Sequence, residues 1–334
     1  MSSTLLRGVK SLVSFIIMVS GVWGALAIYS MGVSDSILFL GTSLLFFVFS
    51  MGAVIGVWRA KKLLIGVYVL SFVVIIGWFF AHTPSNHRLW QKDVAVLPYA
   101  VVDQTLITVH NVRNFTYNSE FDYVPAYYTK TYDIQKLQGV DLIAVYWMGP
   151  KIAHVFLSFD FGGNDHLAIS IEARKEQTEG YSTLKGFFRQ YELFYVVADE
   201  RDVIGLRTNY RQNPPEDVYV YKTKGKAGDA TRLLLKYIEQ MNALKEKPQF
   251  YNSLMTNCTT TIWLNSLVNT YSLPFSWKVL VSGYVPQYLY ENGRLQTDGM
   301  TFDRLQSAAW INQKARTSGI AEDFSSKIRD KNTL

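Results

Sequence analysis

Three stretches near the N-terminus constrain this chain more than anything that follows them. "SLVSFIIMVSGVWGALAIYSMGV" (11–33), "ILFLGTSLLFFVFSMGAVIGVW" (37–58) and "LLIGVYVLSFVVIIGWFF" (63–80) hold no Asp, Glu, Lys or Arg. Each reaches or exceeds the roughly 18 apolar residues needed to cross a bilayer core. A secretory leader would instead have an apolar centre of about 7–15 residues and no further spans after it. The pattern predicts three transmembrane helices within 1–81.

Basic residues set the expected orientation. Arg7 and Lys10 precede the first span, Asp35 is the one charge before the second, and Arg59, Lys61 and Lys62 separate the second from the third. The N-terminus and the second loop are therefore expected in the cytoplasm. Three crossings then place everything after residue 81 outside, which in a bacterial cell is the periplasm. A net charge of +6 without a clustered Lys/Arg stripe gives no sign of nucleic acid as a partner; a basic membrane protein meets anionic lipid head groups instead. The 21 tyrosines suit either a surface resting at a lipid interface or a β-rich core.

The exported part divides, on this reading, into a linker (82–114) with a strand or two, a domain (115–290) and a C-terminal extension (291–334) that packs on the domain or the membrane. Its clearest local feature is "HVFLSFDFGGNDHLAISIEARKE" (154–176), where alternation on both sides of Gly-Gly-Asn-Asp predicts a β-hairpin. His154, Phe156, Ser158 and Asp160 share one strand face, and His166, Ala168, Ser170 and Glu172 the facing one. A three-residue turn at 162–164 aligns those faces and sets Glu172 opposite His154, about 5 Å apart at Cβ. An even-length turn would send Glu172 to the other side. Further along, 229–247 has the three-and-four spacing of an amphipathic helix ended by Pro248.

Cys258 is the only cysteine in 334 residues. It cannot form an internal disulfide, so it is either packing or chemistry. Thr256 and Asn257 before it are good N-cap residues, and an apolar stripe at Ile262, Leu264, Leu267 and Val268 follows. That places the thiol in a first helical turn, where unpaired N–H groups and the helix dipole favour an anionic sulfur. Of the five histidines, His82 and His87 lie beside the membrane anchor, His110 on an isolated apolar stretch, and His166 next to the hairpin turn, where exposure is expected. His154 alone has a carboxylate in reach to fix its tautomer, Glu172 by register, with Glu200 of the "DERD" turn as the alternative. Residue types leave open a buried structural thiol and a strand histidine satisfied by backbone. Scattered His and one Cys show no metal-ligand spacing, and neither a phosphate-binding glycine loop nor a serine-hydrolase elbow is present.

"IAHVFLSFDF", "AISIEARKE", "YELFYVVADERDVIGLRTN", "FYNSLMTNCTT" and the late "EDFSSKIR" together resemble the bacterial domain named after Lnb, a lipoprotein N-acyltransferase. The likeness runs from about 115 to 329. Thr256 stands where that family often has a second Asn. The order His then Cys is similar to circularly permuted papain-like (NlpC/P60) folds, so the resemblance implies an α+β domain of that kind behind a three-helix anchor. It implies no cofactor, and a multi-pass protein of the inner membrane. It further implies that Cys258 takes an acyl chain from a phospholipid and passes it to the N-terminal amine of a diacylated lipoprotein. In those terms His154 is base and acid, Glu172 the orienter, and Asn257 and Thr259 the oxyanion support. Arg174 and Arg189 are candidates for phosphate, or else ordinary strand-surface charges. A papain-like peptidase or amidase acting on cell-wall peptides, and a non-catalytic membrane-binding module, are the competing readings.

Overall fold

The computed structural model describes residues 3–32, 36–226 and 228–330. The turn holding Asp35 lies outside them. Contacts divide the chain into two compact units. One comprises Met1–Arg88, Lys175–Glu192 and Phe250–Ser253, the other Leu89–Arg174, Leu193–Gln249 and Leu254–Leu334.

The first unit is built on α1 (Ser3–Met31), α2 (Ile37–Trp58) and α3 (Lys62–Ala81), each long and apolar enough to cross a membrane. Hydrocarbon offers no water to backbone groups, and a helix satisfies nearly all of them internally. Leu38, Leu45, Leu63 and Phe80 point outward, as suits side chains solvated by lipid. The helices meet through small residues: a Cβ on Gly21 would lie 2.3 Å from the Ser50 hydroxyl, and one on Gly24 2.6 Å from the Phe46 ring. Interhelical hydrogen bonds add to this, with Ser43 donating to the Ala25 carbonyl at 2.7 Å and Tyr68 to that of Ile17 at 3.1 Å.

Residues 175–192 return to this bundle. Phe188 is buried against Trp23, their ring centres 6.1 Å apart, and the Lys185 ammonium lies over the Tyr29 ring. Arg189 donates to the carbonyls of Phe79 and His82, and its guanidinium covers the rings of Phe79, Phe80 and Phe250. The C-terminal portions of α1 and α3 thus meet one common segment, the arrangement an odd number of crossings requires.

The second unit is an α+β domain. Its strands are β1 (Tyr99–Asp103), β2 (Leu106–Arg113), β3 (Thr116–Tyr117), β4 (Tyr123–Val124), β5 (Tyr127–Asp133), β6 (Gly139–Tyr146), β7 (Ala153–Asp160), β8 (His166–Arg174), β9 (Glu192–Ala198) and β10 (Asp217–Lys222). The main sheet runs β1-β2-β9-β8-β7-β6-β10, with β5 also paired to β2, while β3 and β4 form a separate ribbon. The apolar stretch in the expected linker supplies β1 and β2. Helices follow as α4 (Glu200–Gly205), α5 (Asp229–Glu246), α6 (Cys258–Ser266), α7 (Trp277–Leu280), α8 (Val285–Glu291), α9 (Phe302–Ala309), α10 (Asn312–Ser318) and α11 (Phe324–Lys327).

Both faces of the central strands are covered. Ile143, Phe156 and Ala168 share a core with Val203, Ile204, Ile311 and Phe324. On the other face the Phe159 ring meets Tyr237 of α5 edge-on at 5.8 Å. The polar residues of the first face are therefore buried, and each needs a partner. Ser158 donates to Glu200 at 2.5 Å, and Arg329, in the turn after α11, pairs with Glu200 at 2.5 Å and Asp141 at 2.8 Å. His166, expected at the surface, is only 6 % exposed, its Nε2 3.4 Å from Asp160. The same covering of the hairpin that buries Ser158 buries this ring.

Candidate functional site

Cys258 is the first residue of α6. Asn257 caps the helix with extended backbone, its side-chain oxygen accepting from the Thr260 N–H at 2.9 Å, and Thr260 returns a hydroxyl to the Asn257 N–H at 3.1 Å. This reciprocal box satisfies orphan donors of the first turn. Thr259 donates its hydroxyl to the Val279 carbonyl at 2.6 Å, tying the turn to α7. Two of the three consecutive threonines, poor helix formers alone, are thus used as cap and brace.

His154 stands second on β7. The hairpin closes through Gly162 and Gly163, both at positive φ (98° and 62°), with Phe161 donating to the Asp165 carbonyl at 2.8 Å. Pairing of Asp160 with His166 and Leu157 with Ile169 is the register of an odd-length turn. Carried back along the strand, that register sets His154 across from Glu172. The side chains meet there, Nε2 to Oε1, at 2.9 Å. The alternative carboxylate, Glu200, is committed to Arg329 and Ser158.

Two further groups complete the cluster. The Ser170 hydroxyl lies 2.7 Å from His154 Nε2 and donates to Glu172 Oε1 at 2.7 Å. Arg207 reaches Glu172 at 3.5 Å and Glu216 at 3.2 Å, and its guanidinium lies over the Phe156 ring. Ser170 was visible in the sequence as the neighbour of Glu172 on the strand face; Arg207, in a π-helical turn at 206–210, carried no signal at all.

The Cys258 thiol lies near enough to the same imidazole to help hold its proton. Nε2 of the ring is turned to Glu172 and Ser170. Burial alone would depress the imidazole's pKa, but the Glu172 carboxylate, aided by hydrogen bonds that the protonated ring donates to Cys258 and Glu172, pushes it up to about 9 against the opposing charge of Arg207. Glu172 moves the other way. Burial would raise its pKa, but His154, Arg207 and the Ser170 hydroxyl hold it well below the usual carboxylate range. At neutral pH the ring is an imidazolium between a carboxylate and a sulfur.

The two arginines singled out earlier lie elsewhere. Arg174 is not a strand-surface charge: at 1 % exposure it donates to the carbonyls of Val94 and Ala95 and lies between the rings of Trp90 and Phe194. Arg189 is not on a strand; it belongs to the segment packed on α1 and α3 described above. Among the described residues, no group of three or more His, Cys, Asp or Glu is placed to hold a metal ion.

Residues 123–283, which contain His154, Glu172 and Cys258, match the family model described as the Lnb N-terminal periplasmic domain. That stretch is of the Lnb type. Neither the curated proteins nor the solved structures offered a match. The Lnb-type stretch begins at β4 and ends just before α8, so all three site residues fall inside it. It is joined to an N-terminal part of three membrane-length apolar helices.

Proposed function

We propose that the Lnb-type domain is a thiol acyltransferase, with Cys258 as nucleophile, His154 as proton carrier and Glu172 as the group that orients it. The observation that carries this reading is the chain of contacts from the Cys258 thiol to the His154 ring and on to Glu172 at 2.9 Å. A nucleophile bonded to a base that a third group orients is the constellation covalent catalysis needs.

The substrate follows from the resemblance and from the membrane anchor. The Cys258 sulfur attacks the ester carbonyl of a phospholipid. The C–S bond forms, the ester C–O bond breaks, and the leaving alkoxide takes the imidazolium proton, giving a lysophospholipid. The α-amine of a diacylglyceryl-cysteine then attacks the thioester, yields a proton to His154 and expels the thiolate as the amide forms. Backbone N–H groups in the first turn of α6 face the developing oxyanion, and Asn257 and Thr259 hold that turn in place. A chain anchored by three helices meets both lipids at high effective concentration, because each is confined to the same bilayer. In this reading the N-terminus is cytoplasmic, the membrane is the inner one, and the transfer occurs in its outer leaflet.

The test is the mass of lipoprotein N-termini from cells that gain the protein or its Cys258→Ala variant. One additional acyl chain with the first and none with the second is expected. An unchanged acyl count with altered cell-wall peptides would instead favour the peptidase reading.

A further inference from the structure

From Thr259, the residue after the thiol, onward, α6 forms one wall of a cleft of about 450 Å³, a size within the usual range for a bound small molecule. Thr259, Ile262, Trp263 and Ser266 line it, spaced as one face of the helix. Leu157 from the sheet, Leu233 from α5, Leu273 and Val285 close it with apolar surface. One short helix therefore presents the sulfur at its first residue and an apolar trough from its second onward.

The lining also includes charged residues, and their partners decide the sign. Asp141 pairs with Arg329 at 2.8 Å, Asp229 pairs with Arg232, and Asp160 accepts from the Gly162 N–H at 2.8 Å. The cations are less engaged. The Lys226 ammonium sits 3.4 Å from the centre of the Tyr271 ring and Arg294 donates to the Tyr271 carbonyl, while Lys222 and Lys224 have no acidic partner among the described residues. The cleft is thus apolar within and positive at one side. Nearby, Leu264, Leu267 and Val268 of α6 and its following turn, with Phe275 and Trp277, are exposed. Exposed aromatic and aliphatic side chains beside unpaired lysines are the surface chemistry of a lipid–water boundary.

We propose that this cleft holds one acyl chain of a phospholipid, with the lipid phosphate against Lys222 and Lys224. The assignment rests on the acyl-transfer reading of Cys258 and names where the donor lies while its ester meets the sulfur.

The experiment places the full-length protein in vesicles of phosphatidylethanolamine and phosphatidylglycerol containing a phospholipid with a diazirine in one tail. After photolysis, adducts are mapped by peptide mass spectrometry, and the same samples are scored for a hydroxylamine-labile acyl group on Cys258. Adducts on Leu233, Ile262, Trp263 or Leu273 are expected. They fall about tenfold in Leu233→Trp, which fills the trough, and severalfold in Lys222→Glu/Lys224→Glu. The adduct map of the unsubstituted protein decides the matter even if Leu233→Trp folds poorly. Adducts confined to α1, α2 and α3 overturn the proposal. If Cys258 is nevertheless acylated, the transferase reading survives that failure. Adducts in the cleft without an acylated thiol keep the lipid site and remove the transferase. Inorganic phosphate in excess is expected to leave the adducts in place. Retention of labelled phosphate by a protein that gives no tail adducts marks an anion site only and also overturns the proposal.

Discussion

At His154 two opposing influences meet, and their balance predicts a pH profile. Burial disfavours the charged ring, while Glu172 at 2.9 Å more than offsets it, leaving a pKa of about 9. The leaving alkoxide needs the proton that this ring carries, so acyl transfer to the thiol should decline as pH rises through about 9. Glu172→Gln removes the main support, and the alkaline limb should then move roughly two units down, toward the ordinary histidine value of about 6.5. An unshifted limb would show that Glu172 does not orient the ring. Linkage makes the same pair a stability element. The raised histidine contributes fully below about 6.5 and loses its contribution as pH climbs through 9; the lowered carboxylate contributes above about 4.3 and loses its share as pH falls. Thermal unfolding of the domain should therefore show a Glu172-dependent component greatest between those two values. Ser170→Ala removes one bridge worth about 1 kcal/mol, so a roughly fivefold slower rate with an intact fold is expected.

Among the elements, α6 is the one whose start decides the site. Its capping box rests on Asn257, and Asn257→Ala should cost about 1 kcal/mol in unfolding free energy. It should also slow acylation of Cys258 more than it destabilises the domain, because the turn bearing the sulfur loses its anchor; equal effects on both would make Asn257 a cap alone. This helix start was legible because N-cap chemistry is local: an Asn, then the Cys, three threonines and an apolar stripe, has few other uses. The hairpin was legible for the same reason, since Gly162 and Gly163 allow the three-residue turn and the two-residue strand period carries the register from Asp160–His166 to His154–Glu172. What local pattern does not reveal is what covers a face. His166 read as a surface residue because it lies next to the hairpin turn, and Arg174 as a phosphate ligand or strand-surface charge, yet α4, the C-terminal helices and residues 90–95 cover that face. Arg207 was hidden likewise, being 35 residues from Glu172 in sequence and brought to it only by the chain's return after β9.

For the molecule as a whole, three apolar runs announced the membrane part, and the family match over 123–283 takes in the ordered motifs up to the thiol segment, while the late "EDFSSKIR" at 322–329 lies beyond it. The tail was less legible. Residues after 291 read as a polar extension, but Arg329 penetrates the domain and neutralises Glu200, a carboxylate with no solvent exposure, together with Asp141. Arg329→Ala leaves two buried acids without their cation, and a loss of about 3–5 kcal/mol is expected in denaturant unfolding. A loss below about 1 kcal/mol, the size of a surface pair, would mean that the tail is peripheral. The proposed transfer depends most on the sulfur itself. Intact-protein mass spectrometry after incubation with phospholipid, before any acceptor is added, reads it directly. The prediction is a gain of one acyl mass on Cys258, reversed by hydroxylamine and absent in Cys258→Ala and His154→Ala. A protein that transfers acyl chains while its thiol never carries one, or whose His154→Ala variant is acylated at the normal rate, would contradict it.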